Sequence, residues 1–459
     1  MKFSTYLKNL QGKRIAVIGA GISNTPLIEA LLAAGIDTTV CDKQSRDGIG
    51  EAARRFEDRS ARLRLGIDYL TDLEADVIFR TPGLMPWNRE LRKAVTRGAA
   101  LTSEMEVFFN VCPCKIIAVT GSDGKTTTTS IIAELLKKVG RTVHIGGNIG
   151  APLLCIADDM NPDDIAVLEL SSFQLITMKK SPDIAVITNI SPNHLDIHSS
   201  MDEYIEAKRN IIIYQNSSGR AVFNFDNEIT RGFAKSAPGE TLFFSVQAKV
   251  RDGIYADNGI IYESINGRSA EIIPISDIFL PGMHNAENFM AAFAAVRGFV
   301  GHAAMRETAR AFRGVPHRIE LVRELGGVRY YNDSIASSPT RTIAGLRAFD
   351  QKVILIAGGK DKGVGFDELG SQIARHVKTL VLTGLTAGKI RDAVTNSKEY
   401  SGTPEIIIRG NFTDAVMAAV KSSVDGDVVL LSPACTSFDR FRNFEERGDL
   451  FRSIIMGLS

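Results

Sequence analysis

The sequence predicts an α/β protein in which parallel strands alternate with helices in doubly wound sheets. The segments RIAVIGAGIS at 14–23 and KIIAVTGSDGKT at 115–126 each place a short apolar run before a glycine turn. An amphipathic or apolar helix follows each turn. The last third of the chain adds the apolar runs VRYYND, KVILIAGG, TLVLTG, EIIIRG and DVVLLS between residues 328 and 432. Strands that alternate with helices in this way are typical of mostly parallel sheets.

Length and charge limit the classes of protein. The chain has 459 residues, enough for two to four domains, and a formal net charge of +1. The balanced charge argues against nucleic acid or an anionic membrane surface as a partner. The five cysteines are scattered and odd in number, which favours a reducing compartment over a disulfide framework. No apolar run is long enough to span a membrane, so we expect a cytoplasmic protein.

The first glycine turn has the outline of a dinucleotide-binding unit. Gly19 and Gly21 form the turn, and Asp42 ends the next strand at the place of a ribose-binding carboxylate. The third glycine of the pattern is replaced by Asn24. The pattern therefore indicates a nucleotide diphosphate without identifying it, and a merely structural turn stays open as the alternative.

The second glycine turn is typical of a phosphate-binding loop. Gly121 and Gly124 allow backbone amides to approach a polyphosphate, and the following helix directs its N-terminus at the anion. Lys125 is expected to reach the terminal phosphates, and the hydroxyl of Thr126 or Thr127 to bind Mg²⁺. The pattern is irregular, because the opening glycine of the usual motif is replaced by Val119.

Polar residues follow the next two predicted strands. Glu169 ends IAVLEL, and His194 comes shortly after DIAVITNIS. Ligands gather beyond the carboxyl ends of strands in such sheets, so both residues are candidate Mg²⁺ ligands. The spacing of His194, Asp196 and His198 is only a weak indication of zinc. Lys208 lies on a predicted helix, and a further helix begins near Asn285.

Ten ordered motifs resemble those of the Mur ligases of peptidoglycan synthesis, and together they extend over most of the chain. They are TGSDGKTTT, GGNIG (146–150), LELSSFQL (168–175), NISPNHLDIH (189–198), AK (207–208), HNAEN (284–288), PHRIE (316–320), NDSIASSPT (332–340), GGKDKG (358–363) and SPACTSFDRFRNFEERG (432–448).

The resemblance implies three domains and a ligase activity. Residues 1–110 would be a Rossmann-like domain that binds a UDP-substrate. Residues 111–314 would be a P-loop ATPase-type domain with a mostly parallel sheet, and residues 315–459 a C-terminal Rossmann-like domain that closes over the nucleotide and binds an amino acid. The implied reaction uses ATP and Mg²⁺ to join D-glutamate to UDP-N-acetylmuramoyl-L-alanine. We expect a monomer.

The resemblance also implies roles for individual residues. Lys125, Glu169, His194 and Lys208 would be catalytic. Thr126, Glu169, His194 and a carbamylated Lys208 would hold the metal. The ATP-binding residues would be Gly121, Ser122, Asp123, Gly124, Lys125, Thr126, Thr127, Asn285, Asn288, Arg318 and Asp333. The UDP-substrate would contact Gly21, Ile22, Ser23, Asp42, Lys43, Gly83 and Asn148. D-Glutamate would contact Lys362, Ser437 and Phe444.

One position departs from the family pattern. A lysine usually follows Asn-Asp-Ser in the third domain, whereas this chain has Ile335. The lysine contact to glutamate or phosphate is then either lost or supplied by Lys360 or Lys362. The alternatives to the reading above are a Mur ligase that adds another amino acid, an NAD-dependent oxidoreductase and a P-loop switch ATPase. An oxidoreductase would have no use for Lys125, and a switch would have no use for a UDP-binding domain.

Overall fold

Three α/β sheets form the framework of the protein. The computed structural model describes residues 1–192, 197–361 and 365–458. Residues Met1–Phe312 and Arg313–Ser459 are two compact units; the first contains two sheets and the second contains one. Helices alternate with the strands, and most neighbouring strands are parallel, so the predicted α/β class with mostly parallel strands is confirmed.

The first sheet has the strand order β3-β2-β1-β4-β5, with every neighbour pair parallel. This order confirms the predicted Rossmann-like arrangement. Its strands are β1 (Ile15–Ile18), β2 (Thr38–Asp42), β3 (Arg62–Leu65), β4 (Val77–Phe79) and β5 (Ala100–Thr102). The helices of this region are α1 (Phe3–Asn9), α2 (Thr25–Ala33), α3 (Arg46–Ile49), α4 (Glu51–Glu57), α5 (Arg89–Thr96) and α6 (Glu104–Val111).

The second sheet has nine strands in the order β14-β13-β12-β11-β10-β9-β6-β8-β7. It is parallel from β7 to β12 and antiparallel at β12–β13 and β13–β14. Its strands are β6 (Lys115–Thr120), β7 (Val143–Gly147), β8 (Ile165–Glu169), β9 (Ile184–Ile187), β10 (Arg220–Asn224), β11 (Glu240–Ser245), β12 (Gly253–Asp257), β13 (Ile260–Ile265) and β14 (Arg268–Pro274). The helices are α7 (Lys125–Lys138), α8 (Ser172–Leu175), α9 (Met201–Ile213), α10 (Glu228–Phe233), α11 (Met283–Ala295) and α12 (His302–Ala311), with a 3₁₀ helix at Leu154–Asp159.

The hydrophobic core explains why these elements pack as they do. One face of the first sheet and one face of the second belong to a single continuous core, which runs from Phe3 to Phe233. On the opposite face of the second sheet, α7 buries Ile131, Ile132, Leu135 and Leu136, which recur at helical spacing. The P-loop helix is thus held against the sheet along most of its length.

The third sheet has the strand order β15-β16-β20-β17-β18-β19. The pair β15–β16 is antiparallel and the other pairs are parallel. The strands are β15 (Glu320–Leu325), β16 (Val328–Asn332), β17 (Val353–Ala357), β18 (Val377–Leu382), β19 (Glu405–Ile408) and β20 (Val428–Leu431). The helices are α13 (Pro339–Leu346), α14 (Asp367–His376), α15 (Ala387–Thr395), α16 (Phe412–Lys421) and α17 (Phe444–Met456).

Element boundaries differ in detail from those predicted. Helix α7 begins one residue earlier than expected, at Lys125, because Gly124 adopts a left-handed conformation and ends the loop. Helix α11 begins at Met283, two residues before Asn285. The antiparallel strand β15 was not among the predicted strands. The division into domains at residues 110 and 314 stays a prediction; residue 110 lies within α6.

Candidate active site

The phosphate loop joins β6 to α7 at the centre of the second sheet, and its two glycines have no room for a side chain. A Cβ atom on Gly121 would lie 1.9 Å from the Oγ1 atom of Thr188. A Cβ atom on Gly124 would lie 2.3 Å from the Oδ1 atom of Asn288. Both glycines have positive φ angles, +152° and +77°, which disfavour other residues. These glycines are required by close packing as well as by backbone conformation.

The end of β9 holds the loop in place. The Ser122 amide donates to the carbonyl of Asn189 (2.8 Å), and the Asp123 amide donates to the Asn189 side chain (2.9 Å). The Thr188 hydroxyl donates to the carbonyl of Asp123 (2.6 Å). The hydroxyls of Ser122 and Tyr204 lie 2.9 Å apart. The residues that follow β9, together with Tyr204 of α9, therefore shape the loop. Sequence reasoning did not identify the contacts of Thr188 and Tyr204.

The first two residues of α7 make different contacts. The Lys125 Nζ atom donates to the carbonyls of Gly121 (3.0 Å) and Ser122 (2.8 Å). The Thr126 hydroxyl donates to the Oε2 atom of Glu169 (2.6 Å), and both residues are buried. Thr127 is half-buried. Of the two threonines left open by the sequence, Thr126 is therefore the one in contact with Glu169.

Glu169 ends β8 and is 2% exposed. Its Oε1 atom accepts a hydrogen bond from the Asn148 amide (2.7 Å), so Asn148 contacts the strand-end carboxylate. A carboxylate and a threonine hydroxyl are the oxygen ligands that Mg²⁺ prefers beside a polyphosphate. The donor set at Thr126 and Glu169 therefore fits Mg²⁺.

Lys208 is buried beneath the phosphate loop. It lies on α9, is 2% exposed, and donates to the carbonyl of Gly121 (2.7 Å) and to the Thr120 hydroxyl (3.3 Å). Its Nζ atom also lies 4.7 Å from the centre of the Tyr204 ring. Burial holds the pKa of Lys208 well below its ordinary value, and the charge of Lys125 lowers it further. Burial therefore disfavours the charged form of this amine.

The histidines predicted near these residues divide into two cases. His194 lies outside the described residues, as does Asp196. His198 is buried; its Nε2 atom lies 2.9 Å from the Ser172 hydroxyl and its Nδ1 atom 2.8 Å from Glu203. Among the residues that the structure describes, no group of three or more His, Cys, Asp or Glu residues is arranged to hold a metal ion.

Helix α11 brings two of the predicted ATP-binding residues to the phosphate loop. The Asn288 side chain accepts from the Thr128 hydroxyl (3.3 Å) and lies against Gly124. The Asn285 amide donates to the carbonyl of Pro281 (2.8 Å). The start of α11 therefore lines the same end of the sheet as the start of α7.

The first glycine turn is held by its own side chains. Asn24 is buried and donates to the carbonyls of Ile18 (2.9 Å) and Gly19 (3.2 Å). The Asp42 carboxylate accepts from the amides of Ala20 and Gln44, each at 2.8 Å. The residues predicted to contact the UDP-substrate at this edge are otherwise exposed, namely Gly21, Ile22, Ser23, Lys43 and Gly83.

In the second unit, the predicted motifs meet beyond the ends of β16, β17 and β20. Buried Arg447 donates to the Ser334 hydroxyl (3.0 Å) and carbonyl (2.8 Å) and to the Cys435 carbonyl (3.2 Å). Lys360 and Thr436 exchange backbone hydrogen bonds at 2.9 and 3.1 Å. Arg447 thus joins the Asn-Asp-Ser segment to the segment that contains Ser437.

The remaining predicted residues of the second unit lie around this junction. Ser437 is buried, and the Phe444 ring packs edge-on against His317 with ring centres 5.9 Å apart. Burial raises the pKa of Asp333 to about 7, a rise that the Ser432 hydroxyl and the charge of Arg318 oppose. Lys362 lies outside the described residues.

Ile335, which replaces the expected lysine, is half-buried, and its amide donates to the carbonyl of His317 (3.1 Å). Lys360 is exposed beyond the end of β17.

Two further features bear on the sequence predictions. All five cysteines are free, and the Sγ atoms of Cys112 and Cys114 lie 3.5 Å apart. Within residues 1–192, 197–361 and 365–458, no helix is both long and apolar enough to cross a membrane.

Two domains of the chain match family models, and full-length relatives are also similar to it. Residues 119–296 match the Mur ligase middle domain, and residues 317–435 match the glutamate ligase domain of Mur ligases. Two relatives are each named UDP-N-acetylmuramoylalanine–D-glutamate ligase. The chain is 48% identical to that of Ruminiclostridium cellulolyticum, over 100% of this chain and 99% of the relative. It is 50% identical to that of Clostridium kluyveri, over 99% of this chain and 98% of the relative.

Solved structures show the same fold at lower identity. The UDP-N-acetylmuramate–alanine ligase MurC of Thermotoga maritima has a TM-score of 0.55 and 18% identity, over 97% of this chain and 99% of that protein. MurF of Acinetobacter baumannii has a TM-score of 0.57 and 15% identity, over 83% of this chain and 92% of that protein. These likenesses concern the fold alone.

Proposed function

Because the chain belongs to the Mur ligase family, we propose that it joins D-glutamate to UDP-N-acetylmuramoyl-L-alanine in peptidoglycan precursor synthesis. It is an ATP-dependent ligase, and ADP and phosphate are the other products. The observation that carries the choice of amino acid is the 48% identity over essentially the full length of a relative with that name. The scattered free cysteines support a cytoplasmic location, and we expect a monomer.

The reaction has two steps. ATP transfers its terminal phosphoryl group to the alanyl carboxylate, which becomes an acyl phosphate. The amine of D-glutamate then attacks the carbonyl carbon, phosphate leaves, and an amide forms with loss of a proton. Both reactants of the first step are anions, so the site must neutralise charge and align the two groups.

The phosphate loop supplies that neutralisation. The phosphates would be bound by the loop residues Gly121, Ser122, Asp123 and Gly124, through their backbone amides, and by the N-terminus of α7. Lys125 would leave the carbonyls of Gly121 and Ser122, to which it donates in the protein alone, and follow the transferred phosphoryl group. Asn285, Asn288, Arg318 and Asp333 would hold the rest of the nucleotide.

Mg²⁺, held by Thr126 and Glu169 with His194 and Lys208, would neutralise phosphate charge when bound. The contact of Thr126 with Glu169 at 2.6 Å supports this donor set. Lys208 would join it after carbamylation, in which the neutral amine attacks carbon dioxide and releases a proton. Burial and the charge of Lys125 lower the pKa of this amine, which supports that reaction. Carbon-13 bicarbonate should give a carbamate signal in wild type and none in Lys208→Met; a wild type without the signal would exclude the modification.

The UDP-substrate would lie along the exposed edge that carries Gly21, Ile22, Ser23, Lys43 and Gly83, with Asp42 beneath the turn. Asn148, which contacts Glu169, would meet its sugar or diphosphate. Ser437, Phe444 and Lys362 would hold D-glutamate. Because Ile335 has no charge to offer the glutamate side chain, Lys360 or Lys362 would supply it.

The test is phosphate release from ATP and Mg²⁺ with UDP-N-acetylmuramoyl-L-alanine and one amino acid at a time. D-Glutamate should support turnover, while L-glutamate, L-alanine and diaminopimelate should not. Omission of the UDP-substrate is the matched control, since activation of the carboxylate needs it. Turnover with another amino acid in place of D-glutamate would refute the assignment and identify a different ligase of the family.

A further inference from the structure

Arg80 is a fully buried cation in the first region of the protein. It follows β4 directly, and only 1% of its surface is exposed. Burial lowers the pKa of Arg80, while the nearby carboxylate of Glu106 opposes this. Its Nε atom is buried and has no hydrogen-bond partner within the described part of the chain. Burying a guanidinium with an unpartnered atom costs folding free energy. A contribution to stability alone is therefore a poor explanation for Arg80.

The guanidinium of Arg80 divides its hydrogen bonds between two segments. Its Nη1 atom donates to the carbonyls of Thr81 (3.3 Å), Pro82 (3.2 Å) and Leu84 (2.9 Å). Its Nη2 atom donates to the carbonyl of Phe173 (2.9 Å) and to the Thr177 hydroxyl (3.1 Å). One side chain therefore connects the 81–84 loop of the first sheet with α8 and the turn after it, in the second sheet.

Each segment leads to a different part of the proposed active site. The 81–84 loop contains Gly83, a proposed contact of the UDP-substrate. Phe173 lies four residues after Glu169, the proposed metal ligand at the end of β8. The acceptor carboxylate must lie close to the transferred phosphoryl group, so the position of the loop relative to this strand end governs the reaction.

We propose that Arg80 is a positioning residue that fixes the 81–84 loop, and with it the UDP-substrate, relative to Glu169. This inference rests on the proposed function. It depends on the forked shape of the guanidinium as well as on its charge. The single nitrogen of a lysine at this position cannot donate to both segments in the same geometry.

The only tryptophan of the chain offers a direct reading of the loop. Trp87 lies three residues after Leu84 and is half-buried. Its fluorescence in the protein without substrate reports the position of the loop and needs no ligase activity. The variants are Arg80→Gln, Arg80→Lys and Thr177→Val. Arg220→Gln is the matched control, because Arg220 also donates to two backbone carbonyls of the same unit, those of Ala295 and Arg297, far from the loop in sequence.

Arg80→Gln and Arg80→Lys should shift the Trp87 emission maximum and raise the KM for the UDP-substrate about tenfold. They should lower kcat by up to about a hundredfold, as expected when reacting groups are misaligned. The KM for ATP should change by less than about twofold, since the phosphate loop is untouched. Thr177→Val should cause smaller changes in the same direction. Arg220→Gln should leave the emission and both KM values as in wild type.

Several results would overturn the proposal. One is a folded Arg80→Gln with wild-type emission and wild-type KM for the UDP-substrate. Another is full recovery in Arg80→Lys, which would assign the effect to charge instead of the bridge. If Arg80→Gln does not fold, the Trp87 emission and the KM for the UDP-substrate are measured in Thr177→Val instead, and wild-type values there would overturn the proposal. If wild type proves inactive with D-glutamate, the proposed function fails, and the Trp87 emission alone decides whether Arg80 holds the loop.

Discussion

The turn between β1 and α2 and the turn between β6 and α7 share a strand, a pair of glycines and a helix, but they are built differently. In the first, Gly21 has no atom within 4 Å of a hypothetical Cβ, and the turn is held by Asn24 and Asp42. In the second, Gly121 and Gly124 are enclosed by Thr188 and Asn288. The first turn is therefore open at Gly21, although a Cβ atom on Gly19 would lie 3.1 Å from the Cβ atom of Thr81. In the second turn, both glycines are enclosed by neighbouring elements.

The difference follows from what each turn is proposed to do. An open turn can lie along a large nucleotide-sugar, and binding is its main task. An enclosed loop keeps its backbone amides in a fixed arrangement, which lowers the cost of reorganisation during phosphoryl transfer. The same glycine pattern in a sequence can therefore indicate either role, and the neighbouring strands decide between them.

Gly121→Ala should have the largest effect and tests the enclosed loop directly. Its Cβ would lie 1.9 Å from the Oγ1 atom of Thr188, which holds the carbonyl of Asp123. We expect a loss of about 3 to 4 kcal/mol of stability, from the clash and the φ angle together, and loss of turnover. Thermal denaturation and phosphate release would measure it. Gly21→Ala is the control and should keep the wild-type melting temperature. Equal destabilisation by both variants would show that the two turns do not differ in how tightly they are enclosed.

Lys125→Ala should lower turnover by on the order of a hundredfold or more, because it removes the positive charge that we propose meets the transferred phosphoryl group. The melting temperature should change little. Steady-state phosphate release measures the loss. Lys137→Ala, on the exposed end of the same helix and paired with Glu134, should keep turnover within about twofold of wild type. Activity near wild type in Lys125→Ala would contradict the catalytic role.

Much of the fold could be predicted from the sequence because it depends on local patterns. Short apolar runs beside glycine turns gave the parallel strands, and helical spacing gave α7 and α9. Strand β15 was missed because its pattern is half-buried and its partner is an antiparallel neighbour at the sheet edge. The start of α7 shifted by one residue because the conformation of Gly124 is not encoded by residue type alone.

The site was less predictable, because its supporting contacts join distant parts of the chain. Thr188 and Tyr204 hold the loop from 65 and 82 residues away, and Arg80 reaches Phe173 across 93 residues. Without the family resemblance, Lys208 would have looked like any solvated helix lysine in the sequence, whereas the structure shows that it is buried. Asn24 was read as a missing glycine, whereas its side chain holds the turn.

Glu104 links the region that contains the first turn to the region that contains the second. It begins α6, and its carboxylate accepts from the Leu154 amide (3.2 Å) of the 3₁₀ helix at Leu154–Asp159. Burial raises its pKa to about 7, against 4.5 for a free glutamate. The folded protein therefore holds the proton more tightly than the unfolded chain, and stability should fall as the pH rises from about 4.5 to about 7.

Glu104→Gln should remove that part of the pH dependence. One pKa unit corresponds to about 1.4 kcal/mol, so above pH 7 the variant should gain at most about 3 kcal/mol in free energy of unfolding. We expect about 2 kcal/mol, because the new amide group must be accommodated. Melting temperatures at pH 5 and pH 8 give the measurement, with exposed Glu51→Gln as the control. A wild-type melting temperature that does not fall over this range would show that Glu104 is not the titrating group.

Asn24→Ala should have the smallest effect and asks whether the first turn is held by side chains. The buried Asn24 amide donates to the carbonyls of Ile18 and Gly19, and its loss leaves both without this donor. We expect a loss of about 1 to 2 kcal/mol in stability, read from thermal denaturation. Ser23→Ala, on the exposed side of the same turn, should change stability by less than about 0.5 kcal/mol. If both variants were neutral, the turn would be held by its backbone alone, and the two turns would differ only in what surrounds them.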